Sequence, residues 1–394
     1  MKKKKFKVLK WIGLSFLSII LVSIICLTII RNKPLNQEYL EEVISDAQKI
    51  FNIQAISIQV MDSNDILYKA INGVRVDKTE NYVTESDYFH IGSCSKSILS
   101  LIAAKQVEAG KLQWSTPFFE VFPDLKEVAN AAYDNITLED LLRCCAGIKA
   151  YTSGTEVFPE DVLNAQNPEE EFLKYLIMTE PSANQNESGE FAYLYSNASY
   201  AVACAMIEKV TGKTYEELIN TYIYKELDID ARIGWPYEIK ENQPFGHIVD
   251  ENGLVQIIGP DVDYSLNSLI IPAGDLSMIP EDFTKYVQLH LSGLKGKSGF
   301  LSQETFEYID IGEDPQLAKQ GEYFALGSFD GNILGKNYIS FDGTAGTFYA
   351  RGVIIPEADF AFAVLTNNGN VDAIEYITMR LAKAKFNYWW MFWI

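Results

Sequence analysis

Histidine is nearly missing from this chain: His90, His247 and His290 are the whole supply in 394 residues. None stands in an H-E-x-x-H pattern. The five cysteines (Cys26, Cys94, Cys144, Cys145 and Cys204) show no C-x-x-C spacing. Metal and redox centres are therefore not expected, and neither is a cofactor. Cys144 and Cys145 are adjacent, a placement that rarely satisfies disulfide geometry, so free thiols are expected. Basic charge is also scarce outside one segment. Residues 1–33 hold eight Lys and Arg and no acid, which leaves 25 basic against 53 acidic groups, a net charge of −28, on the remainder. Such a surface repels polyanions and excludes nucleic acid as a partner.

Six lysines fall in the first ten residues, and Trp11 to Ile30 then runs for twenty residues without a charge. At about 1.5 Å rise per residue this run spans roughly 30 Å, the thickness of a bilayer's hydrocarbon core. No small-residue cleavage site follows, so residues 11–30 are expected to stay as a transmembrane helix. The lysines of segment 1–10 should remain cytoplasmic and everything after Lys33 should lie outside, as a single-pass cell-membrane protein. The remainder, at 48% hydrophobic and 22% charged over the whole chain, has ordinary globular composition. An aromatic tail, 386–394, carries Trp389, Trp390 and Trp393.

Between these ends, 31–385 reads as one large domain. Apolar positions Tyr39, Val43, Ile44, Ala47 and Ile50 predict a helix over 37–51. Ile53 to Met61 and Ile66 to Ala70 predict a hairpin about the turn Ser63-Asn64-Asp65. Ser95 to Glu108 is helical and stops at Gly110. From about 115 to 265 the pattern is helices and long loops, including a capping start at Thr137 to Asp140 and a helix from Ser199 to Val210. Strands return at Tyr349 to Ile355 and Phe360 to Thr366, and a last helix covers about 371–385. Strands at both ends with helices between predict one sheet built from both termini.

Two short motifs carry chemistry. In Ser93-Cys94-Ser95-Lys96, one helical turn places hydroxyl and amine on one face. A desolvated lysine there can be neutral and act as a base, and the helix start favours a developing anion. Ser292 to Lys295 matches the same pattern, so the motif alone decides little. Tyr195-Ser196-Asn197, before a helix, offers a phenol and an amide that can share a proton network; Tyr133 to Asn135 repeats that spacing too.

Their surroundings separate motif from decoy. Phe89 to Ser97 followed by Glu108-Ala109-Gly110-Lys111-Leu112 resembles the class C β-lactamase and penicillin-binding serine hydrolase family. So do Ile136 to Leu142, Tyr195 to Lys213, Ile271-Pro272-Ala273-Gly274-Asp275-Leu276 and Phe341 to Phe348, in the family's order. The resemblance implies an α+β fold, an antiparallel β-sheet flanked by helices with a mainly helical second lobe, and a site in the cleft between them. It implies that Ser93 forms an acyl-enzyme, that Lys96 takes its proton, that Tyr195 is a base or proton relay, and that Asn197 orients substrate or lysine. Backbone N–H groups of Ser93 and Thr344 would form the oxyanion hole, with Phe341, Asp342, Gly343 and Thr344 on the neighbouring edge strand as the substrate-binding segment.

Two departures stand out. The family's third motif begins with Lys or His, where this chain has Phe341 and then Asp342, which would repel a carboxylate if it faced the cleft. Cys144-Cys145-Ala146-Gly147 replaces a frequent His-Thr-Ser-Gly. The expected function is therefore a serine hydrolase acting outside the membrane on an ester, a small amide or a D-amino-acid peptide. The alternative is a non-catalytic binding or sensing module on the same fold.

Overall fold

The computed structural model describes residues 34–152, 156–250, 252–312 and 323–386. Segment 1–10, the apolar run 11–30 and the tail beyond Phe386 lie outside the described residues. Among the described residues no helix is long and apolar enough to cross a membrane.

In chain order the strands are β1 (Ala55–Met61), β2 (Ile66–Gly73), β3 (Phe89–His90), β4 (Ala231–Ile233), β5 (Gly246–Val249) and β6 (Val255–Ile258). They continue as β7 (Leu276–Met278), β8 (Tyr323–Phe324), β9 (Phe329–Ile333), β10 (Lys336–Thr344), β11 (Tyr349–Ile355) and β12 (Phe360–Thr366). The helices that position the site are α1 (Gln37–Phe51), α2 (Ser95–Glu108), α3 (Leu138–Leu142), α4 (Asn197–Thr211), α5 (Pro280–Leu294) and α6 (Val371–Phe386). The main sheet runs β2-β1-β12-β11-β10-β9-β8 and is antiparallel throughout. The fold is thus α+β, with the sheet drawn from both ends of the chain.

Period-two alternation makes this sheet two-faced. Phe360, Phe362 and Val364 of β12 join one apolar cluster with Leu40, Val43 and Ile44 of α1 and Ile374, Ile377 and Leu381 of α6. Ala361, Ala363 and Leu365 face the other way, into a cluster holding α2 and α5. Both faces of β12 are therefore covered, which is why its sequence is almost continuously apolar. Helix α1 begins with the Asn36 side chain accepting from the Tyr39 N–H at 2.9 Å. Its apolar stripe is buried as expected except at Ile50, which is 60% exposed at the last turn.

The stretch 115–265 is mostly helices and loops but also holds β4, β5 and β6. β4 pairs with β7, which pairs with β3, in a three-stranded sheet just before the serine turn. The capping box at the start of α3 is present, with Thr137 and Asp140 in reciprocal hydrogen bonds. The expectation of an edge strand at 341–348 needs correction: β9 and β8 lie beyond β10. β9 pairs only with Lys336 to Ser340, so from Phe341 onward that side of β10 is free to meet the serine turn. The four cysteines among the described residues are free thiols.

Candidate active site

Ser93 sits on a turn built for close approach. After β3, the Ile91 N–H donates to Leu276 O at 2.8 Å, and Gly92 to Cys94 form a single 3-10 turn that runs into α2. Gly92 has φ +51, and a Cβ there would stand 2.6 Å from Thr344 N. A Cβ on Gly343 would stand 1.9 Å from Ile91 O and 2.8 Å from Ser93 N. Two glycines on two segments therefore let β10 lie directly on the serine turn, with the backbone nitrogens of Ser93 and Thr344 both at that seam.

One helical turn on, Lys96 is fully buried. Its Nζ donates to Ser93 Oγ at 3.3 Å, Asn197 Oδ1 at 2.6 Å and Ala273 O at 2.9 Å. It also lies over the rings of Tyr195, at 4.6 Å, and Tyr200, at 5.4 Å. No carboxylate pairs with it among the described residues. Burial disfavours the ammonium, and the pKa falls from 10.5 to about 7. Tyr195 is the reverse case. Burial holds its phenol well above the usual tyrosine range, opposed by a hydrogen bond with Ser93.

Asn197 is the first residue of α4. Ser196 caps that helix by accepting from the Ser199 N–H at 2.9 Å and anchors itself by donating to Lys149 O at 2.8 Å. The Asn197 amide donates to Tyr151 O at 2.8 Å, which turns its carbonyl oxygen toward Lys96. Ser93 and Lys96 of one segment and Tyr195 and Asn197 of a distant one thus share one network around the buried lysine, while Gly343 and Thr344 abut it.

The other two candidates from the third motif are elsewhere engaged. Phe341 is fully buried, with its ring 5.5 Å from Tyr286 and 4.7 Å from His290, so it presents no surface to a substrate. Asp342 does not confront the serine. It pairs with Arg351 on β11 and accepts from Ser340 Oγ at 2.6 Å and Tyr349 OH at 3.2 Å. The feared repulsion is answered by a cross-strand cation. The decoys are placed apart as well: Ser292 Oγ donates to Ser63 O, and Tyr133 OH to Gly147 O. Ser292 is within α5.

Two contributors escaped the sequence. Ala273 O is a backbone acceptor, which no side-chain pattern reveals. His90, three residues before the serine, stacks on Trp235 at 4.1 Å and meets Asp275 Oδ1 at 3.1 Å, tying β3 to the segment that carries Ala273. Among the described residues no group of three or more His, Cys, Asp or Glu could hold a metal ion.

A family model described as Beta-lactamase matches residues 40–383. The chain belongs to the β-lactamase family of serine hydrolases. Curated relatives include the putative penicillin-binding protein PbpX of Bacillus subtilis (strain 168), 25% identical over 61% of this chain and 54% of that protein. Unguisins hydrolase ungD' of Aspergillus campestris is 25% identical over 50% of this chain and 36% of its own length. The chain thus spans about half, or less, of these curated relatives. Among solved structures, the octameric penicillin-binding protein homologue from Pyrococcus abyssi superposes with a TM-score of 0.68 at 22% identity, covering 89% of this chain and 77% of that one. A class C β-lactamase gives 0.66 at 17% identity, over 88% and 95%. At these identities the structures establish the shared fold.

Proposed function

We propose that this β-lactamase-family chain hydrolyses an ester or small amide through an acyl-enzyme on Ser93. The observation that carries the proposal is the buried Lys96, without a carboxylate partner and 3.3 Å from Ser93 Oγ. With its pKa near 7, a large share of the amine is neutral at neutral pH and can take the serine proton as Oγ attacks a carbonyl carbon. The developing oxyanion would be held by the N–H groups of Ser93 and Thr344 at the glycine seam, an interaction typically worth about 3–4 kcal/mol. Tyr195, its phenol kept protonated by burial, is suited to relay a proton to the leaving group. Water then releases the acyl group and restores Ser93. A relative bearing the name hydrolase supports the hydrolytic reading. A buried Phe341 in place of a cation favours substrates without a carboxylate beside the reacting carbonyl.

The test is the intact mass of the full chain, solubilised in non-ionic detergent, after exposure to a fluorophosphonate. One adduct is expected, absent from Ser93→Ala; no adduct on folded wild type would overturn the proposal. On substrates, hydrolysis of a simple activated ester is expected to outpace that of a penicillin. The reverse order would sink the substrate assignment.

We propose further that 11–30 anchors the domain and that the excess of lysine in 1–10 keeps the domain outside the cell. Helix α1 begins at Gln37, so the catalytic domain would stand close to the bilayer. Protease added to intact protoplasts should then degrade the domain, and a protected domain would reject this orientation.

A further inference from the structure

His247 is fully buried on β5, and both of its ring nitrogens are committed. Nε2 accepts from the Asp77 N–H at 3.0 Å, in the segment that follows β2. A backbone N–H can only donate, so Nε2 must carry a lone pair. The proton of the neutral ring is then on Nδ1, which donates to Asn367 O at 2.9 Å just past the end of β12. The two partners thus fix both the tautomer and the charge state.

The same residue reaches the reacting centre through its main chain. The His247 N–H donates to Thr347 O at 3.1 Å. Thr347 lies in the turn 344–348, which starts at Thr344, one of the two N–H groups proposed to hold the oxyanion. That turn has little slack. A Cβ on Gly246 would stand 2.5 Å from Thr347 Cβ, and one on Gly369 would stand 2.1 Å from Gly346 O. Thr344 Oγ1 donates to Phe348 O at 2.7 Å and accepts from the Gly346 N–H at 2.9 Å, so the turn moves as a unit. β5 and the segment 367–369 clamp it, and the His247 ring joins the two.

A second proton on His247 makes Nε2 a donor that confronts the Asp77 N–H. Two donors then oppose each other away from water, and the ring or the Asp77 segment must shift. The charges nearby do not prevent this. Asp77 acts on the ring as a carboxylate, but it is paired with Lys78 at 3.6 Å. Arg75 is taken by Asp87 at 2.9 Å. The segments 344–348 and 367–369 and strand β6 contain no ionisable side chain. Burial outweighs the bond to Asn367 and the charge of Asp77, and it lowers the imidazole pKa below 6.5.

We infer that His247 is a positioning residue for the turn that carries the Thr344 N–H, in place only while its ring is neutral, so that acid slows acylation of Ser93 independently of Lys96. This rests on the proposed roles of Ser93 and of the Thr344 N–H.

The test compares fluorophosphonate labelling of wild type and His247→Gln, as full chains in non-ionic detergent, from about pH 8 down to about pH 4. Glutamine offers an acceptor to the Asp77 N–H and a donor to Asn367 O, yet takes no proton. The titration of Lys96 is common to both chains and cancels in the ratio of their rates. The ratio of wild type to variant is expected to be constant above pH 6.5 and to fall at least about fivefold in acid. His247→Asn, which keeps a donor for Asn367 O but is too short to meet the Asp77 N–H, should label several-fold slower than His247→Gln near pH 8. Urea unfolding gives a second reading. The folded pKa is below the unfolded 6.5, so the stability that His247 lends is full above pH 6.5 and is lost as pH falls from there to the folded value. The urea midpoint of wild type should drop against that of His247→Gln over the same window.

A flat rate ratio beside a falling urea midpoint would make His247 an element of the fold alone and overturn the positioning role. A ratio and a midpoint difference that both ignore pH would overturn the proton dependence as well. Should His247→Gln not fold, the wild-type slope decides: steepening in acid beyond the tenfold per step of one in pH that Lys96 sets is expected, and an unchanged slope down to about pH 4 would overturn the role. Absence of label in every chain at every pH is a different result, for it would reject the Ser93 mechanism itself and the positioning role with it.

Discussion

Lys96→Met should slow fluorophosphonate labelling of Ser93 by about 10³-fold at pH 8, within the range of about 10²–10⁴ for losing a positioned general base. The wild-type rate should rise with pH and level off above a midpoint near 7, because the neutral amine is the active form. Below that midpoint it should fall about tenfold for each step of one in pH. The methionine variant should lack this midpoint. A wild-type midpoint above 9 would mean that burial does not neutralise the lysine and that another group is the base. Stability gives an independent reading. The folded-state pKa of Lys96, about 7, is below the unfolded value of 10.5, so the cost of burying its charge is fully present below pH 7. Between about pH 7 and 10.5 the unfolded chain holds the extra proton, and the cost is progressively relieved as pH rises. Each step of one in pH across that window is worth ~1.4 kcal/mol, so the whole effect is on the order of 5 kcal/mol. Wild type should therefore gain on Lys96→Met across that window. The acceptors orphaned in the variant, Ala273 O and Asn197 Oδ1, add a pH-independent cost of about 1–3 kcal/mol each. The slope of the difference thus belongs to the lysine and its offset to the acceptors.

Features written in local sequence were legible, and those made by long-range pairing were not. Ser93 and Lys96 lie one helical turn apart at a helix start, so their convergence follows from spacing. The ends of α2 and α4 follow from the residues before Gly110 and Gly212, the latter at φ +67. By contrast, β9 spans Phe329–Ile333 with Gly331 and Asn332 inside it, a pattern too short and polar to announce a strand. The edge position of 341–348 is an implication of the resemblance, and nothing in this pattern corrects it. β5 and β6 were hidden among loops for the same reason, four residues each. Asp342 shows the deeper limit. Alternation says that it faces away from Gly343, but only the register, Asp342 opposite Arg351, says what neutralises it. Ala273 contributes a carbonyl oxygen that any residue would supply. Its role comes from the turn's position beside Lys96.

Breaking the Asp342–Arg351 pair should be the most damaging change outside the site. Arg351 also donates to Glu375 Oε1 on α6 at 2.6 Å, so the guanidinium ties β10, β11 and α6 together. Its burial opposes the charge, yet Asp342, Tyr349 and Glu375 hold its pKa above the ordinary arginine value. Side-chain exposures of 12% for Arg351 and 16% for Asp342 leave little water to take over if one partner is lost. Arg351→Met would strand the Asp342 carboxylate with only the Ser340 and Tyr349 hydroxyls as donors. The expected loss is about 3 kcal/mol, at the low end of the cost of orphaning a buried charge because those donors remain. Asp342→Asn/Arg351→Met should recover most of it, since no unpaired charge is then left in the sheet. Urea unfolding of the four species of this cycle measures both terms. A cost under 1 kcal/mol for Arg351→Met would show the pair to be solvent-screened, and a double variant as unstable as the single would place the damage in lost packing against α6. If the cycle closes as expected, Asp342 belongs to the scaffold that presses Gly343 and Thr344 onto the Ser93 turn, and the sequence's departure at this position is a structural one.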